Sequence, residues 1–317
     1  MSARAGIAPA TPGTHPLTLA LGGTMRQALV HVPPGLAGSG ATAPVPLVCM
    51  LHGAGATAEL ALRNTGWAAL ADTERFIALF PEGTPRHADR PPTFRLNPQT
   101  WNDGSGRGHV ARRGIDDVGF VAALLDAVGR TLPVDPARVY VTGFSNGAGL
   151  AYRVGAELAG RVAAVAAVAG HCWLESPRPA RPVPLLAIYG AQDPLNPPAG
   201  GEIATPWGHA EYHPPVARSV ERWAAGIGCV ADPVVVQDAA DVRLVAWPRC
   251  PGGAEVLLCM VGDMGHVWPG GQRLLPERLI GPASRRLDGT RFIWDFFRRH
   301  ALPTGAPLDR PAVPLTR

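Results

Sequence analysis

The stretch Arg138-Val139-Tyr140-Val141-Thr142-Gly143-Phe144-Ser145-Asn146-Gly147-Ala148-Gly149 constrains this chain more than any other. A short β-branched run leads into G-x-S-x-G, and small residues open a helix behind it. In that context the pentapeptide reads as a nucleophile elbow, a sharp strand-to-helix turn that lifts one serine hydroxyl above a sheet. The serine backbone in such a turn is strained, and glycines on both sides let chain and substrate approach closely. Ser145 is therefore the expected nucleophile of a hydrolase.

The rest of the chain supplies a sheet for that turn. Apolar, strand-like runs fall at 26–32, 45–51, 76–80, 139–142, 162–168, 185–189 and 256–261, and the later ones are continuous, as buried parallel strands should be. Helical patterns fall near 58–71, 118–130, 146–158, 216–225 and 288–300. Alternating strand and helix predicts a doubly wound, mostly parallel α/β sheet flanked by helices. Ligands in such sheets bind beyond the carboxyl ends of the strands. At 317 residues and 46% hydrophobic, the chain can bury one large core without a disulfide or metal. The expected organisation is an N-terminal extension over 1–24, a catalytic domain over 25–301 and a Pro-rich tail over 302–317. Two irregular stretches, 82–113 and 192–215, are long enough to be lid-like.

Composition excludes several chemistries. The chain contains no lysine, so a Schiff-base lysine, a Ser-Lys dyad and a P-loop are out of reach. The net charge of +4 comes from scattered arginines, which predicts a solvated surface and no nucleic-acid partner. No apolar run approaches the length of a membrane span. Residues 1–13 have no continuous apolar segment of the signal-peptide kind. Among five cysteines no pair has C-x-x-C spacing, Cys49 and Cys259 read as core thiols, and Cys229 and Cys250 lie in loop-like surroundings that leave a bridge between them open. His209 and His213 have the spacing of zinc ligands on a helix, but flanking prolines and the lack of a third ligand argue against a metal site.

Three further segments complete the chemistry that Ser145 needs. Leu51-His52-Gly53-Ala54-Gly55 ends a buried strand in a glycine turn. Gly53-x-Gly55-x-x-Ala58 formally matches a dinucleotide fingerprint, yet the acidic partner at Glu82 comes late. An oxyanion loop fits better, with the backbone N–H groups of Ala54 and Asn146 as the two donors. Asp193 follows the strand-like Leu185-Leu186-Ala187-Ile188-Tyr189 and is the candidate acid, the alternative being a turn aspartate. Of the late histidines, His300 ends a helix, whereas His266 sits in a glycine-flanked loop after the last strand and is the candidate base. The order Ser145, Asp193, His266 is that of α/β hydrolases, with Asp193 orienting the imidazole that takes the serine proton. Trp101, in a polar loop, reads either as a substrate-stacking ring or as a buried loop anchor.

At these residues the chain resembles the polyhydroxybutyrate-depolymerase-like and feruloyl-esterase-like α/β hydrolases of the first carbohydrate esterase family. The similarity runs from about Arg26 to His300 through Leu51-His52-Gly53, Trp101-Asn102-Asp103, Gly143-Phe144-Ser145-Asn146-Gly147, Gly190-Ala191-Gln192-Asp193-Pro194 and Gly265-His266-Val267-Trp268-Pro269-Gly270-Gly271. The resemblance implies hydrolysis of a polyester or of aryl or acyl esters without metal or cofactor, usually outside the cytoplasm. It implies that Trp268 lines the substrate pocket and that Cys229 and Cys250 form a disulfide. The chain departs from the family where Asp263-Met264-Gly265-His266-Val267-Trp268 replaces the usual histidine loop and where Ala54 replaces a frequent cysteine. The competing expectations are a non-catalytic polymer- or carbohydrate-binding scaffold, and an acyltransferase or peptidase using the same three residues.

Overall fold

A computed structural model describes residues 11–36, 43–239 and 241–303. Ten strands form one sheet: β1 (Gly13–Leu21), β2 (Thr24–Val32), β3 (Val45–Leu51), β4 (Ile77–Pro81), β5 (Val134–Phe144), β6 (Ala164–Val168), β7 (Leu185–Gly190), β8 (Val234–Ala239), β9 (Val242–Trp247) and β10 (Val256–Val261). Their order is β1-β2-β4-β3-β5-β6-β7-β10-β9-β8. The six central strands pair in parallel, and an antiparallel pair closes each edge. The chain runs outward from β3 to β4 in one direction and from β5 to β10 in the other. The order therefore reverses between β3 and β5, which is where a ligand is expected in a doubly wound sheet.

Six helices cover the two faces: α1 (Ala58–Thr65), α2 (Trp67–Glu74), α3 (Asp117–Thr131), α4 (Asn146–Glu157), α5 (Val216–Ile227) and α6 (Gly289–Phe297). All seven residues of β3 are buried because successive side chains go to different cores. Leu47, Cys49 and Leu51 join α3, α4 and α5 on one face. Val48 and Met50 join α1, α2 and α6 on the other. This two-sided burial explains why the central strands read as unbroken apolar runs.

Three boundaries differ from the sequence reading. The expected extension over 1–24 contains β1, whose Leu17 and Leu19 are 1% and 6% exposed and enter the core as the strand pairs with β2. Its first ten residues, and the tail from 304 onward, lie outside the described residues. The single helix expected over 58–71 is two helices, split at Gly66, whose φ of 74° only glycine adopts without strain. The antiparallel edge strands β8 and β9 were not expected at all. No helix among the described residues is long and apolar enough to cross a membrane.

Cys229 and Cys250 are joined by a disulfide, as the family resemblance implies. It ties the end of α5 to the turn preceding β10. Cys49, Cys172 and Cys259 are free and buried.

Candidate active site

The G-x-S-x-G turn joins β5 to α4, and each glycine has a steric reason. A Cβ on Gly143 would sit 2.2 Å from the Gly147 carbonyl oxygen, and one on Gly147 would sit 2.3 Å from the Leu51 carbonyl oxygen. The first turn of α4 thus crosses the end of β3 at a distance only bare backbone permits. Ser145, between them, has φ 55° and ψ −120°, a conformation that L-residues rarely adopt. Its N–H donates to the Val168 carbonyl at 2.8 Å, and its own carbonyl accepts from Ala148 N–H at 3.0 Å. These bonds from β6 and α4 hold the strained residue in place.

The three residues from distant parts of the sequence meet here. Ser145 Oγ lies 3.0 Å from His266 Nε2, and His266 Nδ1 lies 2.8 Å from Asp193 Oδ2. The serine hydroxyl donates to Nε2 and Nδ1–H donates to the carboxylate, which sets the imidazole tautomer. Asp193 and His266 are buried. The second carboxylate oxygen accepts from the N–H groups of Leu195 and Asn196, each at 2.8 Å. The loop carrying His266 is fixed from below, where Gly265 N–H donates to the Pro282 carbonyl at 2.8 Å. The Phe144 ring packs against the imidazole at 4.8 Å.

Ala54 and Asn146 both line the space around Ser145. Asn146 is the first residue of α4, so its N–H has no acceptor within the helix. Its side chain is occupied elsewhere: Oδ1 accepts from Trp101 N–H at 2.7 Å, and Nδ2 donates to Trp101 O at 3.1 Å and to Asp103 Oδ2 at 2.8 Å. On the Ala54 side, buried His52 accepts from Gly83 N–H at Nε2 (3.0 Å) and donates from Nδ1 to the Gly53 carbonyl (2.8 Å). Burial pushes this imidazole down to about 4, so it stays neutral and braces the loop.

Trp101 corrects one expectation. It is 1% exposed, its indole N–H donates to the His52 carbonyl at 2.8 Å, and its ring packs on His52 at 4.9 Å. It is a buried anchor behind the His52-Gly53-Ala54 turn. The loop is held in turn by Asp117, which accepts from Asn102 N–H at 2.7 Å and pairs with Arg26 at 2.8 Å. Trp268 does line a cavity beside Ser145, with its indole N–H bonded to Thr290 at 2.9 Å. His209 and His213 belong to a β-hairpin rather than a helix, and both pair with Glu211.

Two cavities meet at Ser145 and His266. One, of about 260 Å³, is walled by apolar groups that include Met50, Leu60, Phe94, Trp268 and Ile280. The other, of about 350 Å³, is the more polar of the two, its wall combining Arg107, His109, Asn196 and His213 with Trp173, Ile203 and Trp207. The two long loops meet at this junction: Trp207 packs on Phe94 at 5.4 Å and donates from its indole to the Phe94 carbonyl at 2.9 Å.

Comparison with known proteins fits this geometry. The model of the family described as "Esterase PHB depolymerase" matches residues 27–178. NocK of Nocardia uniformis subsp. tsuyamanensis, named as an esterase, is 31% identical over 270 residues, spanning 79% of this chain and 73% of that protein. The chain belongs to this esterase family. It is a carboxylic ester hydrolase with the α/β-hydrolase fold. Feruloyl esterase B of Piromyces equi is 28% identical over 65% of this chain, which spans only 34% of that relative. The native structure of pOPH shares the fold, with a TM-score of 0.54 at 14% identity, over 95% of this chain and 92% of that one.

Several residues of this esterase's site escaped the sequence reading. Asn196, 4% exposed, donates to the Ala169 carbonyl at 2.8 Å, lies 3.3 Å from His266 Nδ1 and accepts from His213 at 2.9 Å. Its only trace in the sequence is its place three residues after Asp193 in a turn. Arg107, His213 and Trp207 come from the two irregular loops, whose paths no periodicity predicts.

Proposed function

We propose that Ser145, His266 and Asp193 act as nucleophile, general base and orienting carboxylate in cofactor-free ester hydrolysis. Ser145 Oγ attacks the carbonyl carbon while His266 Nε2 takes its proton. The Ala54 and Asn146 N–H groups receive the oxyanion of the tetrahedral intermediate. Collapse breaks the bond to the alcohol oxygen, which leaves with the proton from His266. Water then repeats the sequence on the acyl-serine and releases the carboxylic acid. The observation that carries this reading is the unbroken relay of hydrogen bonds, 3.0 Å and 2.8 Å, from Ser145 through His266 to Asp193 at the sheet's switch point. The apolar cavity with Trp268 in its wall supports esters with a hydrocarbon or aryl group, as the polyester and feruloyl names of the relatives suggest. We infer that the catalytic unit extends beyond the expected 25–301 to take in β1 as an integral strand. The Cys229–Cys250 disulfide supports work in an oxidising compartment outside the cytoplasm.

Ser145→Ala tests the reading. Hydrolysis of p-nitrophenyl butyrate should fall by about 10⁴-fold or more, with circular dichroism and melting temperature retained. A variant that keeps its rate would remove Ser145 from the mechanism.

A further inference from the structure

We propose that the polar cavity is a subsite for a carboxylate carried by the ester, so that this esterase prefers monoanionic esters over neutral ones of the same shape. The proposal rests on the hydrolase reading above and adds the charge of the substrate. Three arginines line this cavity, Arg86, Arg95 and Arg107. Two carboxylates share the wall, and both are already engaged. Asp103 accepts from the Ser105 N–H at 3.0 Å and hydroxyl at 2.6 Å with one oxygen, and from Asn146 Nδ2 at 2.8 Å with the other. Glu211 is bonded to His213, Arg107 and His209, and the His213 bond leads in holding its carboxyl down to about 2. Arg107 is engaged likewise, bonded to Glu211 and lying 4.0 Å over the Trp173 ring.

Arg86 and Arg95 differ. Both are exposed on the cavity wall, and neither has a hydrogen bond or ion pair among the described residues. Two of the lining arginines are therefore uncommitted, and a guanidinium fork matches a carboxylate in a bidentate arrangement. The other cavity has no such groups and takes hydrocarbon. An ester bond placed at Ser145, where the cavities join, has one arm in each. A substrate with an alkyl group on one side of the ester and a carboxylate on the other satisfies both walls. The carboxylate can sit on the alcohol part or on the acyl part.

Two pairs of substrates separate these cases: O-butyryl hydroxybutyrate against its primary amide, and monobutyl succinate against butyl succinamate. Each neutral amide is the reference for its own anion in every enzyme variant, so loss of folding cancels. In the wild type one pair should favour the anion by about tenfold in kcat/KM, the scale of a charge-assisted contact in a half-open site. Which pair does so assigns the cavity to the alcohol or the acyl side. The Arg86→Gln/Arg95→Gln double variant should bring the ratio to near one, and high salt should shrink it in the wild type. A wild-type ratio of one or less in both pairs overturns the proposal, as does a preference that survives in the double variant. If the neutral esters are hydrolysed and only the preference is missing, the carboxylate subsite alone fails. If no member of either pair is hydrolysed while p-nitrophenyl butyrate is, the subsite alone fails; if p-nitrophenyl butyrate is not hydrolysed either, the hydrolase reading fails with it.

Discussion

Ser145 and Asn196 show how single residues set this site. Ser145 is held in a strained conformation costing on the order of 1–3 kcal/mol, sustained by the bonds from Val168 and Ala148. Asn196 touches no expected reacting atom, yet its amide sits behind the imidazole and its N–H meets the Asp193 carboxylate. These contacts predict a positioning role. Asn196→Ala should lower kcat by about 10–100-fold with KM little changed, because a displaced imidazole hurts the chemical step more than binding. An equal rise in KM would assign it to binding instead. Asp193→Asn should cost about 10⁴-fold in kcat through the wrong imidazole tautomer. Ser145 and Asp193, which the structure brings to one imidazole, were both singled out in the sequence, since a G-x-S-x-G turn and a strand-end aspartate leave local signatures. Asn196 was not, because its role exists only where three loops converge.

Buried histidines give the residue scale a pH dependence. Burial pushes His52 down to about 4 and His171 down to about 3. In the unfolded chain both titrate near the ordinary 6.5. The unfolded state therefore binds more protons below that value, so stability is fully present above pH 6.5 and falls as the pH drops toward 4. Glu82 and Asp117, raised by burial, act with the opposite sign. Between pH 7 and 5 the unfolding free energy from urea titrations should thus decline with acidification, approaching about 1.4 kcal/mol per pH unit for each histidine. A flat profile over that interval would show that the two imidazoles do not outweigh the two carboxyls.

At the scale of elements, caps and crossings decide what forms. Asp116 caps α3, accepting from Gly119 N–H at 2.8 Å, and Asp116→Ala should cost about 1 kcal/mol in urea unfolding with activity retained. Gly147→Ala is a different case. Its Cβ would strike the Leu51 carbonyl at 2.3 Å, so α4 must move away from β3 and activity should be lost with stability. The helix α4 and the central strands were readable because their burial is written as apolar runs. The edge strands β8 and β9 were not. Every residue of β8 is exposed, so its side chains carry no core pattern, and it is a strand only because β9 supplies its hydrogen-bond partners. Trp101 illustrates the same limit in a loop. Its neighbours are polar, yet its ring is buried by His52, which lies 49 residues away in sequence.

For the whole molecule, the Cys229–Cys250 bridge closes a loop with a sequence separation of 21. Loop-closure entropy assigns it about 3 kcal/mol, so Cys229→Ala/Cys250→Ala should lower the melting temperature by several degrees while leaving the sheet intact. No loss of stability on removing the bridge would mean that α5 and β10 dock without it.

By itself, the sequence determined the central strands and most of the helices that flank them, the elbow at Ser145, and Asp193 and His266 as the candidate acid and base that follow it, because each is encoded by local periodicity or by residues that only a tight turn tolerates. Tertiary structure alone decided that β1 belongs to the sheet, that Trp101 is an anchor, that Asn196 backs His266, and that the site divides into an apolar and an arginine-lined arm. Those features depend on contacts between segments far apart in the chain, and such contacts have no period and no spacing from which to be read.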